Sequence, residues 1–281
     1  MTKDKLRVAC VSMNSQENKD RNIEQAEHYI DLAAKSAADW VILPELFSYI
    51  GPYAELSKNA ELATGPLNRH LSQLAQKHKV TLFAPVPELP EKEDSMSTKG
   101  FKKVFNTLFV FSPSGSMINH YRKIHLFHLQ FGDLSRAESE GFLAGNKLLT
   151  FSHDGWKVAC AICYDIRFPE FLVSLYRERP FEVLVLPSAF TEATGKAHWK
   201  LLVRSRAVEY QCYVLAANQT GVHYEEKKSF GHSMVVDPWG DIIAETGTAC
   251  GLAIAELTRD RVRSIRERLP IVANRRPDLY I

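Results

Sequence analysis

Cysteine is scarce in this chain. Its 281 residues include five, an odd and irregularly spaced set, which excludes the disulfide framework of a small secreted domain. Long apolar runs are missing too: none approaches the length that crosses a bilayer. The opening MTKDKLRVACVSM passes from charged residues straight into a strand pattern, without the apolar core and cleavage site of a secretory leader. Charge of one sign is also lacking. The net charge is +2, with Lys and Arg interspersed among Asp and Glu, so no strong field argues for nucleic acid or anionic lipid as the main partner. No Gly-, Ser- or Pro-rich linker divides the chain, and the polar segment EKEDSMSTKG (91–100) reads as a surface loop. The expectation is a cytoplasmic protein with reduced thiols and one domain over residues 1–281, long enough to bury its core without staples.

What is present is an alternation of strand and helix patterns. LRVACVSM reads as a first strand, and Ile23, Ala26, Ile30 and Ala33 fall at helical spacing within 21–37. WVILPE is a short strand stopped by Pro44, because proline cannot continue a central ladder. A helix near 66–78 leads into VTLFAPVPEL. Hairpin patterns follow at FNTLFVF/SMINHYRK, at LLTFSH/WKVACAIC around Asp-Gly, and at HSMVVD/DIIAET around Pro-Trp-Gly. Helices are expected near 168–178, 196–210 and 260–269. VILPELF (41–47) faintly echoes VLVLPSAF (183–190), as if two similar halves each contributed a sheet. Alternation plus hairpins implies a mixed sheet or sheets covered by helices.

The strand WKVACAIC ends on Cys163 in the stretch AICYDIRFPE. Four readings compete for that cysteine: packing, a redox pair with Cys160, a metal ligand, or a nucleophile. An offset of three along a strand turns Cys160 and Cys163 to opposite faces, which disfavours the pair. No second CxxC or HxxH accompanies them, which disfavours zinc. His125 and His128 lack a carboxylate neighbour and read as surface or pocket-lining residues on a loop. A lone buried cysteine is more often a small hydrophobe than a catalyst. Its position argues the other way, since a sharp strand-to-helix turn exposes a nucleophile beside fresh backbone N–H groups. A thiol also needs a base, and no histidine stands out by local motif. Glu45 directly follows VILP, and Lys123 sits in YRKIHLF; each abuts an apolar strand, although such residues are ordinarily solvated. On these residues alone, packing and catalysis both stay open.

Taken together, VILPELF with Glu45, YRKIHLF with Lys123 and CYDIRFPE with Cys163 resemble the three catalytic blocks of the nitrilase superfamily of carbon–nitrogen hydrolases. They stand in the family's order, and the similarity runs from LRVACVSM to RRPDLY. The resemblance implies an α/β fold of the four-layer α-β-β-α sandwich type, with two sheets face to face and helices outside. It implies Glu45 as general base, Lys123 as an essential cation and Cys163 as nucleophile, with no metal and no cofactor. Glu138 is the supporting carboxylate by its spacing to Gly145, with Glu140 in competition, and Ala144-Gly145 stands where the family usually has Pro-Gly. The backbone N–H of Tyr164 joins Lys123 as a donor to the developing oxyanion. A homodimer or larger homo-oligomer is implied as well.

CYDIRFPE resembles the amidase branches, whereas true nitrilases carry Trp-Glu after the cysteine. SAFTEATGKAHW, RAVEYQCYVLAANQTG and GHSMVVDPWG narrow the resemblance to amidases of small ω-amides of dicarboxylic acids. Deaminated glutathione is the favoured substrate and α-ketoglutaramate the alternative. The expected partner is thus a small carboxylate-bearing amide, not nucleic acid or a membrane. Tyr53, Phe127, Arg167, Thr191 and Thr194 are candidates to line the pocket, with Tyr49 and His198-Trp199 beside them. Lys196, Arg204 and Arg206 are further cations by sequence block; for all of these, packing or salt bridging competes. Two other classes compete with this reading. A catalytically silent binding relative is opposed by the intact Glu45, Lys123 and Cys163. An RNA-binding role for RDRVRSIRER and NRRPDLY is opposed by Asp260 and Glu267 and by the lack of an aromatic platform.

Overall fold

The computed structural model describes residues 3–91, 100–131 and 134–280. The loop expected at 91–100 lies outside the described residues except at its two ends. The first half runs β1 (Lys5–Ser12), α1 (Lys19–Lys35), β2 (Trp40–Ile42), the single turn α2 (Leu56–Asn59), α3 (Pro66–His78), β3 (Thr81–Glu88), β4 (Val104–Phe111) and β5 (Met117–Arg122). A small hairpin, β6 (His128–Phe131) and β7 (Leu134–Ala137), and the short β8 (Phe142–Leu143) lead to the second half. That half runs β9 (Thr150–His153), β10 (Trp156–Cys160), α4 (Pro169–Glu178), β11 (Val183–Val185), the turn α5 (Glu192–Thr194), α6 (Lys200–Tyr210) and β12 (Tyr213–Ala216). The hairpin β13 (Thr220–Val222)/β14 (Lys228–Phe230) follows, then β15 (Met234–Val236), β16 (Ile242–Glu245), β17 (Gly251–Thr258), α7 (Arg259–Arg268) and α8 (Pro277–Tyr280).

Two sheets dominate the described residues. One has the order β17-β1-β2-β3-β4-β5, with β8 beside β4; the other has the order β16-β15-β12-β11-β10-β9. Their internal directions match. β1, β2 and β3 run parallel, as do β10, β11 and β12, and antiparallel strands flank each trio. The echo between VILPELF and VLVLPSAF thus falls on β2 and β11, the middle strand of each trio.

The alternation of side chains along each strand assigns the layers. Leu6, Val8, Cys10, Trp40 and Ile42 join Val158, Cys160, Val183 and Leu215 in one core between the sheets. Their neighbours Ala9, Val11, Val41 and Leu43 turn outward onto Ala26 and Ile30 of α1 and Leu67, Leu71 and Leu74 of α3. Leu172 and Leu175 of α4 and Val203 and Ala207 of α6 cover the other sheet. The result is the expected α-β-β-α sandwich. With both faces covered, the parallel strands read as continuous apolar runs.

Local chemistry sets the element ends. Asn18 caps α1, its side chain accepting from the Arg21 N–H at 3.1 Å. Pro66 opens α3, where its missing N–H costs nothing. Pro85 and Pro87 lie inside β3, a strand buried along its length. They are tolerated because the Pro87 carbonyl accepts from Glu61, away from β4, and β2 pairs with β3 only over Thr81–Phe83. The helix expected at 196–210 begins with a π-helical turn at Gly195–Trp199, where a Cβ on Gly195 would lie 2.3 Å from Phe230. Among the described residues no helix is long and apolar enough to cross a membrane. Several arginines of RDRVRSIRER are engaged by the chain itself: Arg266 donates to the carbonyls of Phe181 (2.6 Å) and Gln211 (3.2 Å), Arg261 pairs with Asp237, and the exposed Arg263 pairs with Asp260.

Candidate active site

In open α/β sheets, ligands collect beyond the carboxyl ends of parallel strands. Glu45 lies three residues past the end of β2, and Cys163 three past the end of β10. β10 ends at Cys160, earlier than the sequence pattern implies, and two extended residues carry the chain on to Cys163. There the backbone turns left-handed, with φ of 48°, a conformation uncommon for a residue bearing a Cβ. The Cys163 N–H donates to the Pro187 carbonyl at 2.9 Å, and a short 3₁₀ turn, Cys163–Arg167, begins. Leu46, next to Glu45, is left-handed too (φ 54°).

Asp165 holds that turn. It is wholly buried, and its Oδ2 accepts from the Ile162 N–H (2.9 Å) and the Tyr121 hydroxyl (2.7 Å). Its Oδ1 takes the His125 N–H (2.9 Å) and meets His125 Nδ1 (2.7 Å). One carboxylate therefore ties the Cys163 turn to the 121–125 segment that carries Lys123. His125 is stacked on Phe168 at 3.8 Å and committed to Asp165, so it is neither a free surface residue nor part of the cavity lining.

Lys123, at 1% exposure, lies between two carboxylates: Nζ is 2.8 Å from Glu45 Oε1 and 2.8 Å from Glu138 Oε2. Glu138 is fixed at the base of the β6–β7 hairpin, where Oε2 accepts from the Phe127 N–H (2.6 Å) and the Glu138 N–H donates to the Phe127 carbonyl (2.8 Å). Glu140 lies in the cavity wall instead. Gly145 is required where it stands: its N–H donates to the Lys123 carbonyl at 2.7 Å, and a Cβ there would be 2.2 Å from the Arg122 carbonyl oxygen.

The electrostatics follow from burial and neighbours. Burial, reinforced by the Glu45 charge, pushes the Cys163 thiol well above its ordinary range, against the opposing pull of Lys123. The thiol is therefore neutral at rest, with Glu45 beside it in the same cavity lining. Burial alone would discharge Lys123, but Glu138 and Glu45 outweigh it and hold the ammonium well above its ordinary range. Burial raises Glu138, with Lys123 pulling it back.

A cavity of about 890 Å³ opens over Cys163, Glu45, Lys123 and Glu138. Tyr53, Phe127, Tyr164, Arg167, Thr191 and Thr194, all expected at the pocket, line it, as does Tyr49. Thr191 and Thr194 share a hydrogen bond of 2.8 Å, and Tyr164 packs edge-on against Phe127. The Tyr164 N–H, among the first of its turn, has no acceptor within that turn. Arg167 lies over the Phe190 ring at 5.0 Å, its Nη1 3.3 Å from His198 Nδ1, and pairs with no carboxylate among the described residues.

The other expected cations do not reach the cavity. Arg206 is buried on the Ile166 carbonyl (3.0 Å) and Glu209 (2.7 Å), Arg204 donates to the Gly240 carbonyl, and Lys196 is exposed beside Glu192. Trp199 is core, its Nε1 on the His232 carbonyl. The sequence reading missed Lys227 and Lys228 in the cavity wall. It also missed Asp165, and Gln219, whose Nε2 holds the Glu45 carbonyl at 3.0 Å. An amide in an otherwise apolar strand end and an acid two residues past the cysteine were the available signals.

This sandwich, with a thiol, a carboxylate and a buried ammonium gathered at its strand ends, is that of a hydrolytic enzyme. Residues 7–267 match the carbon–nitrogen hydrolase family, and the chain belongs to it, as an amidase-type member of the nitrilase superfamily. It is 37% identical over 274 residues to deaminated glutathione amidase of Synechocystis sp., covering 95% of this chain and 97% of that protein. It is 34% identical over 278 residues to omega-amidase NIT2 of Homo sapiens, covering 98% of this chain and 96% of that one. The crystal structure of Saccharomyces cerevisiae Nit3, a member of branch 10 of the nitrilase superfamily, superposes with a TM-score of 0.85 at 34% identity, covering 98% of each chain.

Proposed function

We propose that this enzyme hydrolyses the amide bond of a small carboxylic-acid amide through a thioester on Cys163. The observation that carries this reading is the Cys163 thiol on a left-handed turn, lining one cavity with Glu45 and the buried Lys123 paired to it. Glu45 takes the thiol proton as Sγ bonds to the amide carbon, and the carbonyl electron pair moves onto oxygen. Lys123 and the Tyr164 N–H stabilise that oxyanion, a kind of donor that contributes about 3 kcal/mol each. The C–N bond then breaks as Glu45 returns its proton to the departing nitrogen. Water, deprotonated by the same carboxylate, attacks the thioester; the acid leaves and the thiol recovers its proton. Glu138 keeps Lys123 charged and in position.

Deaminated glutathione is the proposed substrate, supported by the likeness to amidases of that name, and α-ketoglutaramate is the second reading, supported by the likeness to the omega-amidase. Arg167 is the proposed carboxylate anchor, since a guanidinium without an acidic partner suits a planar carboxylate. Tyr53, Phe127, Thr191 and Thr194 form the wall around it. The whole chain is taken as one catalytic domain. A homodimer or larger homo-oligomer is proposed, supported by the exposed Leu201 and Val208 on α6 and by the exposed Trp239, whose neighbour Gly240 lies against Val208. The unpaired cysteines support a reducing compartment, the cytoplasm.

The test is release of free acid from deaminated glutathione and from α-ketoglutaramate in parallel, with Cys163→Ala as control. Turnover of the first, abolished in the variant, is the expected result. Turnover of the second alone would make the enzyme an omega-amidase. Undiminished activity in Cys163→Ala would overturn the mechanism.

A further inference from the structure

Asn106 sits in β4 opposite Pro87 of β3 and is completely buried. Its Nδ2 donates to Glu45 Oε1 at 2.8 Å, and its backbone carbonyl accepts from the Lys123 N–H at 2.9 Å. Its side-chain Oδ1 has no hydrogen-bond partner among the described residues. A buried acceptor left unpaired is unfavourable, so an apolar residue of the same shape would suit the core better. Among the described residues, the one hydrogen bond the amide makes in return is its donation to the carboxylate. The amide's orientation is set by the same contact, because turning it over would aim its oxygen at a carboxylate oxygen.

Lys123 Nζ also donates to Glu45 Oε1. Both donors thus occupy one oxygen, which leaves Oε2 for the thiol and later for water. We propose that Asn106 is a positioning residue for the general base: it locks the Glu45 carboxylate with Oε2 toward Cys163. The inference rests on the Cys163–Glu45 mechanism above. It differs from a packing role because donation to a carboxylate favours the ionised form, so its loss moves the pH at which the base becomes active.

Asn106→Leu removes the donor at equal size, and Asn106→Asp replaces it with an acceptor. Each is compared with wild type in the pH profile of kcat/KM, with active enzyme counted by iodoacetamide titration of Cys163. The expected order of the acidic limb is wild type, then Leu, then Asp, with Leu displaced upward by about one pH unit and KM little changed. A limb that stays at the wild-type pH while kcat falls would reduce Asn106 to a packing role. The pH dependence of Cys163 alkylation supplies the same comparison without any amide substrate. A wild type that turned over no amide would therefore count against the proposed function, while an unmoved alkylation profile in either variant would count against Asn106.

Discussion

At the scale of the residue, Lys123 carries the sharpest conflict between burial and charge. Its side chain is 2% exposed and bonded to two carboxylates, an arrangement whose value depends on every partner being present. Arginine would keep the charge, but its planar fork cannot occupy the place of a compact ammonium. Lys123→Arg is therefore expected to lose at least about a hundredfold in kcat, the scale of one misplaced oxyanion donor. Steady-state kinetics read beside a melting curve check this, and a variant within tenfold of wild type would remove Lys123 from the chemistry. Lys123, Glu45 and Cys163 were legible because each follows an apolar strand in a distinctive block. Asn106 was not: in FNTLFVF it reads as one more strand residue, and its meaning comes from Glu45, 61 positions away. Arg206 misled for the opposite reason. It is near the site in sequence, yet it is buried on a main-chain carbonyl.

At the scale of the element, the Cys163 turn depends on a single side chain from its own first turn. Asp165 accepts from two different backbone N–H groups, one on each segment it joins. Asparagine has only one oxygen, so Asp165→Asn must abandon either Ile162 or His125. About 2 kcal/mol of stability should go with that bond, along with much of kcat, since the thiol and Lys123 lose their common reference. Urea unfolding and initial rates on the variant test both halves; a variant with wild-type kcat would mean the turn holds itself. The elements were largely readable from apolar periodicity and turn residues. The π-helical start of the 196–210 helix was not, because it answers to Phe230 pressing on Gly195, a contact between distant segments. The early end of β10 escaped notice because ACAIC stays apolar on both sides of the last paired residue.

At the scale of the whole molecule, the buried core holds three thiols that cannot ionise in place. Burial raises Cys10 and Cys160 far above their ordinary value and pushes Cys212 up to about 12. In the unfolded chain such groups titrate near 8.5. Below that pH both states hold the proton and the thiols are neutral to stability. Above it the unfolded chain releases protons that the folded one keeps, so stability falls as pH rises. At pH 10 the loss should be about 2 kcal/mol for each of the three. Melting temperatures between pH 7 and 10 test this: a steady decline above pH 8.5 is expected, smaller in Cys212→Ala, and a flat profile would mean the core admits water.

The first strand of the chain is bordered by the last. β1 pairs from Lys5 to Ser12 with Thr258 back to Gly251, across nearly the full length of the polypeptide. While the protein is being synthesised, β1 therefore leaves the ribosome with one edge bare and waits for almost everything else to follow. Until the final strand emerges, the newborn chain presents an unpaired ladder of the kind that invites pairing with strangers. The nucleophile and its base are made early, but the sheet that holds the base is sealed only near the end of translation. A truncation before residue 251 is thus a protein with its active residues present and its first sheet still open to the cell.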